Sequence, residues 1–266
     1  MTKLFITDLD GTLLGMNHTL NQKDIDAVRS LPEQGIDFAV ATGRMDHEII
    51  EVLKRVEVGA HRVSQNGAFL YDRNDKHIHS QTFEGPLAQQ ILDVIEKEQL
   101  IKTVSTADST YTAKHSKWID IINEQLFHEI IVEPNLREHV GSNILASKIS
   151  LNGKEQEIME AYERIHSSLK DDADIFISHE SCVDIMPKAI NKGTGIKALL
   201  EKLNLDPEDI VCIGDSFNDL SMFELTPHSY AMSGAHPEVK KNANYVVDHV
   251  HEAIEDIQKK IGMKGA

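Results

Sequence analysis

Leu4-Phe5-Ile6-Thr7 runs straight into Asp8-Leu9-Asp10-Gly11-Thr12 with no polar alternation before the first acid. A strand with one face in water alternates with period two, whereas such a run suits a strand covered on both faces. The feature recurs. Residues 36–41 form a second run ahead of Thr42-Gly43-Arg44, and residues 210–213 a third ahead of Gly214-Asp215-Ser216-Phe217-Asn218-Asp219. Helical spacing fills the gaps: Ile25, Val28 and Leu31, stopped by Pro32 and Gly35; Ile49, Val52, Leu53 and Val56; Ile196, Leu199, Leu200 and Leu203. Residues 230–232 and 245–247 read as further short strands. Strands and helices in this rhythm predict an α/β fold, a doubly wound parallel sheet with helices on both faces.

The middle of the chain differs. Asn66-Gly67 and Arg73-Asn74-Asp75 are turn chemistry around residues 68–71 and 77–81, which predicts a hairpin leaving the sheet. Gly85-Pro86 opens a helix carrying Leu87, Ile91, Leu92 and Ile95, with Pro86 where its missing N–H costs nothing. Val104, Thr106, Thr110 and Thr112 read as antiparallel strands, and a helix with Ile158, Tyr162, Ile165 and Leu169 precedes strands at 175–177 and 183–186. Trp118, Ile121 and Ile122 read as packing within this region. The expected organisation is a core in two parts, 1–82 and 188–266, with an α+β domain inserted at 83–187.

Composition narrows the function. The chain has 266 residues, 41% of them hydrophobic, enough for a full core and against wholesale disorder. Lys+Arg 27 against Asp+Glu 43 gives a net charge of -16, which repels nucleic-acid backbones at long range but leaves room for a small phosphorylated ligand. Two cysteines, Cys182 and Cys212, build neither a disulfide framework nor a four-thiolate zinc site. Asp8 and Asp10 interrupt any leader-like apolar start, and no run of about 18 apolar residues is present. A cytoplasmic protein with no membrane and no nucleic-acid partner is the expectation.

The chemistry-bearing residues follow the apolar runs. Asp8 and Asp10, spaced by one residue, suit a hard cation such as Mg²⁺, although alone they also fit an acidic turn. A calcium loop fails on Leu13 and Thr19 at its sixth and twelfth positions. Thr42 and Gly43 at a helix start can hold a phosphate oxygen or merely cap the helix. Lys192, ahead of the Ile196 helix, reads alone as a solvated charge. Ligands of open parallel sheets collect outside the strands' carboxyl ends, where Asp8, Asp10, Thr42, Asp215 and Asp219 would crowd. So many carboxylates call for a divalent ion.

These four segments, in this order, resemble the motifs of the haloacid dehalogenase superfamily. The long insertion, with Pro187-Lys188-Ala189-Ile190-Asn191-Lys192-Gly193, resembles its Cof-type phosphatases with a large α/β cap. Pro32 within the first core helix and Gln65 before Asn66-Gly67 depart mildly from the pattern. The resemblance implies a Rossmann-like core with an inserted cap and an Mg²⁺-dependent phosphatase acting on small phosphorylated molecules such as sugar phosphates or phosphorylated cofactors. It implies Asp8 as nucleophile and Asp10 as acid and base. Mg²⁺ falls to Asp8, the Asp10 carbonyl and Asp215, with Asp219 holding a metal-bound water or orienting Lys192. Lys192, Thr42, Asn218 and the N–H groups of Leu9 and Gly43 form the implied phosphate cradle.

Substrate choice is expected from Arg44 and Asn66 on the core and from His179, Glu180 and Ser181 on a turn of the insertion. Arg44 has salt bridges to Asp46 or Glu48 as its ordinary alternative. His77 with His79, and His249 with His251, each share a strand face without an evident third ligand, so zinc is not expected at either. A phosphomutase of the phosphomannomutase type is the alternative. It would favour an Arg-rich insertion, and here residues 83–187 hold Arg137 and Arg164 alone. A non-catalytic phosphate-binding regulator is disfavoured by the intact Asp8, Asp10 and Asp215. A monomer or weak homodimer is expected.

Overall fold

The computed structural model describes residues 2–15, 18–125 and 128–264. These fall into two compact units, one of Met1–Arg44, Ile49–His79 and Asn191–Ala266, the other of Met45–Glu48 and Ser80–Ile190. The first stretch carries β1 (Leu4–Thr7), α1 (Gln22–Ser30), β2 (Asp37–Ala41), α2 (Asp46–Val56), β3 (His61–Ser64), β4 (Phe69–Tyr71) and β5 (His77–Ser80). There follow α3 (Gly85–Ile95), β6 (Ile101–Ser105), β7 (Thr110–Thr112), α4 (Lys117–Gln125), β8 (Ile131–Val132), α5 (Leu136–His139), β9 (Lys148–Asn152), α6 (Glu155–Leu169), β10 (Ala173–His179) and β11 (Cys182–Pro187). The chain ends through α7 (Lys192–Leu203), β12 (Ile210–Gly214), α8 (Leu220–Phe223), β13 (Ser229–Met232), α9 (Pro237–Asn242), β14 (Tyr245–Val247) and α10 (Val250–Lys264). No helix among the described residues is long and apolar enough to cross a membrane.

The first unit is built on a sheet of order β14-β13-β12-β1-β2-β3-β4-β5. Every residue of β1 is buried, as the unalternating run requires, and β1 pairs in parallel with β2 on one side and β12 on the other. The chain winds outward from β1 in one direction through β2 and β3, and in the other through β12, β13 and β14. The order therefore reverses at β1, the kind of switch point outside which open α/β sheets bind ligands. One core cluster joins Leu4 and Ile6 of β1 to Ile196, Leu199 and Leu200 of α7 and to Ile210 and Cys212 of β12. Asn21 caps α1 by accepting from the Lys23 N–H, and α1 breaks at Pro32 into a short 3₁₀ turn closed by Gly35.

One expectation is corrected in this unit. The hairpin does not leave the sheet: β4 pairs antiparallel with β3, and β5 forms the edge beside it. Leu70 is buried against the α7 cluster, which holds the hairpin in plane. The Asn66-Gly67 turn expected from the sequence forms as a 3₁₀ turn over Gln65–Gly67, with Gln65 and Asn66 both left-handed at φ 47° and 55°.

The second unit has its own sheet, β10-β11-β9-β6-β7-β8, and its own core of Ile91 and Ile95 from α3, Ile158, Ala161 and Ile165 from α6, and Ile149 and Leu151 from β9. Strand β9, inner in that sheet, carries no sequence expectation because its polar ends conceal a three-residue buried run. Trp118 and Ile121 are corrected: they are 41% and 45% exposed, and Ile119 supplies the buried contact of α4 instead.

Candidate active site

Strand β1 ends at the switch point and delivers Asp8, whose N–H donates to the Ile213 carbonyl of β12 at 2.9 Å. This bond extends the ladder one residue past the strand and fixes the buried carboxyl beside the end of β12. Gly11 then turns the chain away at φ 80°, and a side chain there would drive into the Asp215 carboxylate. That left-handed conformation and that close approach together require glycine. The Thr12 hydroxyl donates to Asp215 Oδ1 at 3.1 Å, tying the two acidic loops together.

Lys192, the first residue of α7, is wholly buried. Its ammonium donates to Asp8 Oδ1 and to Asp219 Oδ1, each at 2.6 Å. The sequence alone makes it a solvated charge; the fold sets it between two buried carboxylates. Burial, which lowers its pKa, is outweighed by the Asp219 and Asp8 charges, so the ammonium is held charged well above its ordinary range. The other oxygen of Asp219 accepts from the N–H groups of Asp215 and Ser216 at 2.8 and 2.9 Å. Both oxygens of Asp219 are thus engaged. Of the two roles open to it in the sequence, orienting Lys192 is the one its hydrogen bonds serve.

Asp8, Asp215 and Asp219 each offer a carboxylate oxygen within 4.8 Å of the others. Burial pushes Asp8 well above the usual carboxylate range, opposed by Lys192 and reinforced by Asp219, Asp215 and Asp10. Burial, then Asp219, lifts Asp215 to about 6 against the pull of Lys192. Three carboxylates against one ammonium leave a surplus of negative charge, and the donors are all hard oxygens. A divalent hard cation fits that donor set and cancels the surplus.

A second group of polar residues, Thr42, Gly43, Asn66 and Asn218, follows the ends of β2, β3 and β12. Thr42 is buried, and its hydroxyl accepts from the Arg44 N–H at 3.3 Å, as a cap does. Gly43 lies against Asn66, whose amide nitrogen would stand 3.4 Å from a side chain at this position. The Asn218 amide donates to Asn66 Oδ1 at 3.0 Å. The remaining Asn66 amide nitrogen and the Asn218 oxygen are buried without a protein partner among the described residues. A buried donor left open costs about 1–3 kcal/mol unless a ligand or solvent meets it. Two consecutive left-handed non-glycine residues, Gln65 and Asn66, hold this amide in place, at a cost of about 1–3 kcal/mol each. The sequence signal for this strain was Gln65 in front of Asn66-Gly67.

Arg44 makes an ion pair that its sequence neighbourhood does not reveal. Its guanidinium forks onto Asp10, with Nε to Oδ2 and Nη2 to Oδ1 both at 2.7 Å, and Nη2 also lies 3.2 Å from His18 Nδ1. The planar fork matches both carboxylate oxygens of Asp10. His18 and Ser221, whose hydroxyl accepts from the Gly193 N–H at 3.1 Å, belong to the surroundings of the site, and sequence reasoning missed both. Leu9 is buried between the two acids, and its carbonyl accepts from the Thr12 and Leu14 N–H groups. His179 and Glu180 belong to the second unit, at the β10–β11 hairpin, and the site just described is built from the first unit. The side chain of His179 lies outside the described residues, while Glu180 is exposed on the turn.

The profile of haloacid dehalogenase-like hydrolases matches residues 5–256 of the chain. A phosphatase of Bacillus subtilis, YwpJ, is 26% identical over 92% of this chain and 94% of its own length. An Escherichia coli O157:H7 protein named HMP-PP phosphatase is 24% identical over 90% of this chain and 87% of its own. The crystal structure of a Thermotoga maritima protein superposes with a TM-score of 0.84 at 27% identity, over 96% of this chain and 97% of that one. With Asp8, Thr42 and Asp215 following strand ends, Lys192 opening α7, and the profile spanning nearly the whole chain, the protein belongs to the haloacid dehalogenase-like hydrolases.

Proposed function

We propose that this hydrolase is an Mg²⁺-dependent phosphatase of small phosphomonoesters, sugar phosphates or phosphorylated cofactors, acting through an aspartyl-phosphate on Asp8. The observation that carries the reading is the buried Lys192 ammonium at 2.6 Å from both Asp8 and Asp219, beside the raised Asp215 carboxyl. A nucleophilic carboxylate, a fixed cation and an oxygen-rich surplus of charge together serve phosphoryl transfer. The phosphatase names of two relatives support the same class.

An Asp8 oxygen attacks phosphorus while the bond to the leaving oxygen breaks, and Asp10 gives that oxygen its proton. Asp10 then takes a proton from water, the water oxygen bonds phosphorus, and the bond to Asp8 breaks, restoring both carboxyl groups. Asp10 must first loosen its fork with Arg44, since both its oxygens are engaged there. Lys192 draws charge from the phosphoryl oxygens, and Thr42, the amides of Asn66 and Asn218, and the N–H groups of Leu9 and Gly43 hold the rest. Mg²⁺ held by Asp8, Asp215 and the Asp10 carbonyl would supply the charge that relieves repulsion between nucleophile and phosphate. Arg44, Asn66, His179 and Glu180 are the proposed selectors of the leaving group.

Phosphate release from a panel of sugar phosphates, nucleotides, phosphorylated cofactors and p-nitrophenyl phosphate tests the reading. Turnover with Mg²⁺, lost with chelator and reduced roughly 10⁴-fold or more in Asp8→Asn, is the expected result. Folded protein that releases phosphate from none of them contradicts it.

A further inference from the structure

The geometry points to a second cation site, formed by Asp24, His249 and His251, that takes a borderline divalent ion of the Zn²⁺, Ni²⁺ or Cu²⁺ class. In the sequence His249 and His251 lack a third ligand; the fold brings one from α1, more than two hundred positions away. Asp24 is buried at 3% exposure, and its Oδ1 accepts from the His251 N–H at 2.8 Å and lies 2.6 Å from His251 Nδ1. The His249 and His251 rings are stacked, 5.1 Å between centroids and 19° between planes. One ligand atom from each of the three residues lies within 4.8 Å of the other two.

A simpler reading has Asp24 capping α10 through the His251 N–H and hydrogen-bonding its ring. That accounts for Asp24 and His251 but not for His249. Its exposed ring lies along its neighbour and makes no side-chain hydrogen bond among the described residues. Cation binding uses all three. Ligand bonds of roughly 2.0–2.1 Å put tetrahedral ligands roughly 3.3 Å apart. Asp24 Oδ1 and His251 Nδ1, 2.6 Å apart, part by roughly 0.7 Å as the ion replaces the proton between them, which leaves to solvent, and the exposed His249 has the freedom to close in as the second imidazole. Three protein ligands leave the fourth position to water.

The donor set decides which ion. Two imidazoles and one carboxylate suit Zn²⁺, Ni²⁺ and Cu²⁺, whereas Mg²⁺ prefers oxygen donors such as those around Asp8. The two sites share no residue. Because α1 packs on α10, an ion here cross-links the segment after β1 to the C-terminal helix and raises thermal stability.

Cu²⁺ titrated into the full chain with saturating Mg²⁺, followed by electron paramagnetic resonance, reads the ligands directly. One site with splitting from two imidazole nitrogens is expected. In His249→Ala that pattern drops to one nitrogen and affinity falls roughly tenfold or more, with phosphate-ester turnover unchanged. In parallel, Zn²⁺ raises the Tm of the parent protein and not of His249→Ala; His249→Gln repeats the test with a side chain closer in size. Equal Cu²⁺ affinity and spectra in parent and variants, or a bound ion with oxygen ligands only, overturns the site. These readouts stand whether or not the phosphatase reading holds.

Discussion

Removing the Lys192 ammonium leaves Asp8 and Asp219 facing each other, buried, with no cation between them. Lys192→Met is therefore expected to cost about 3–5 kcal/mol of stability in denaturant melts, far more than loss of a surface lysine, and to abolish turnover. A melt within about 0.5 kcal/mol of the parent would show that the bridge is not formed in solution. The consequence was invisible along the chain. The spacing Asp8, Asp10, Asp215, Asp219 marked a strand-edge cluster, because residue type and an apolar run suffice to place it. Whether a lone lysine is solvated or sealed depends on burial, which sequence spacing does not carry. Arg44 carries the same lesson: its fork onto Asp10 joins residues 34 positions apart, a pairing that sequence neighbours do not suggest.

At the level of elements, the short 3₁₀ turn after β3 and the start of α7 fit together without room to spare. Gly67 sits at φ 103°, and a side chain there would strike the Asn191 carbonyl, the residue that caps α7 through the Thr194 N–H. Gly67→Ala is expected to destabilise by about 2–4 kcal/mol, the combined cost of a left-handed alanine and of overpacking. It should also lower turnover, because α7 carries Lys192. Equilibrium unfolding and steady-state rates on the same preparation check both. Strands β1, β2 and β12 were legible because burial on both faces removes alternation. The edge hairpin was misplaced, since turn chemistry fixes a reversal but not the plane into which it returns. Strand β9 and the exposed Trp118 escaped because a short element's facing is set by neighbours remote in sequence.

Across the whole molecule, acidity and metal response are linked. Asp215 is held up at about 6 by burial and by Asp219, above its ordinary value of 3.8. A carboxyl raised in this way contributes stability that is complete below its unfolded pKa and is lost as pH rises through its folded one. Metal-free protein should lose that contribution as pH climbs through about 6. Mg²⁺ needs the ionised carboxylate, so the gain in Tm on adding Mg²⁺ should be full near roughly pH 8 and fade as pH falls through about 6. Thermal melts with Mg²⁺ and with chelator across that range measure it; a gain independent of pH would place the ion elsewhere. In Asp215→Asn the gain should vanish at every pH.

Nucleophilic attack by Asp8 makes it a phosphorylated residue during turnover. Rapid acid quench of the protein turning over a phosphate-labelled substrate, followed by peptide mapping, tests it most directly. The account requires one labelled phosphoryl group on the peptide containing Asp8, formed no more slowly than product and absent from Asp8→Asn. Steady turnover with label on another residue would contradict it.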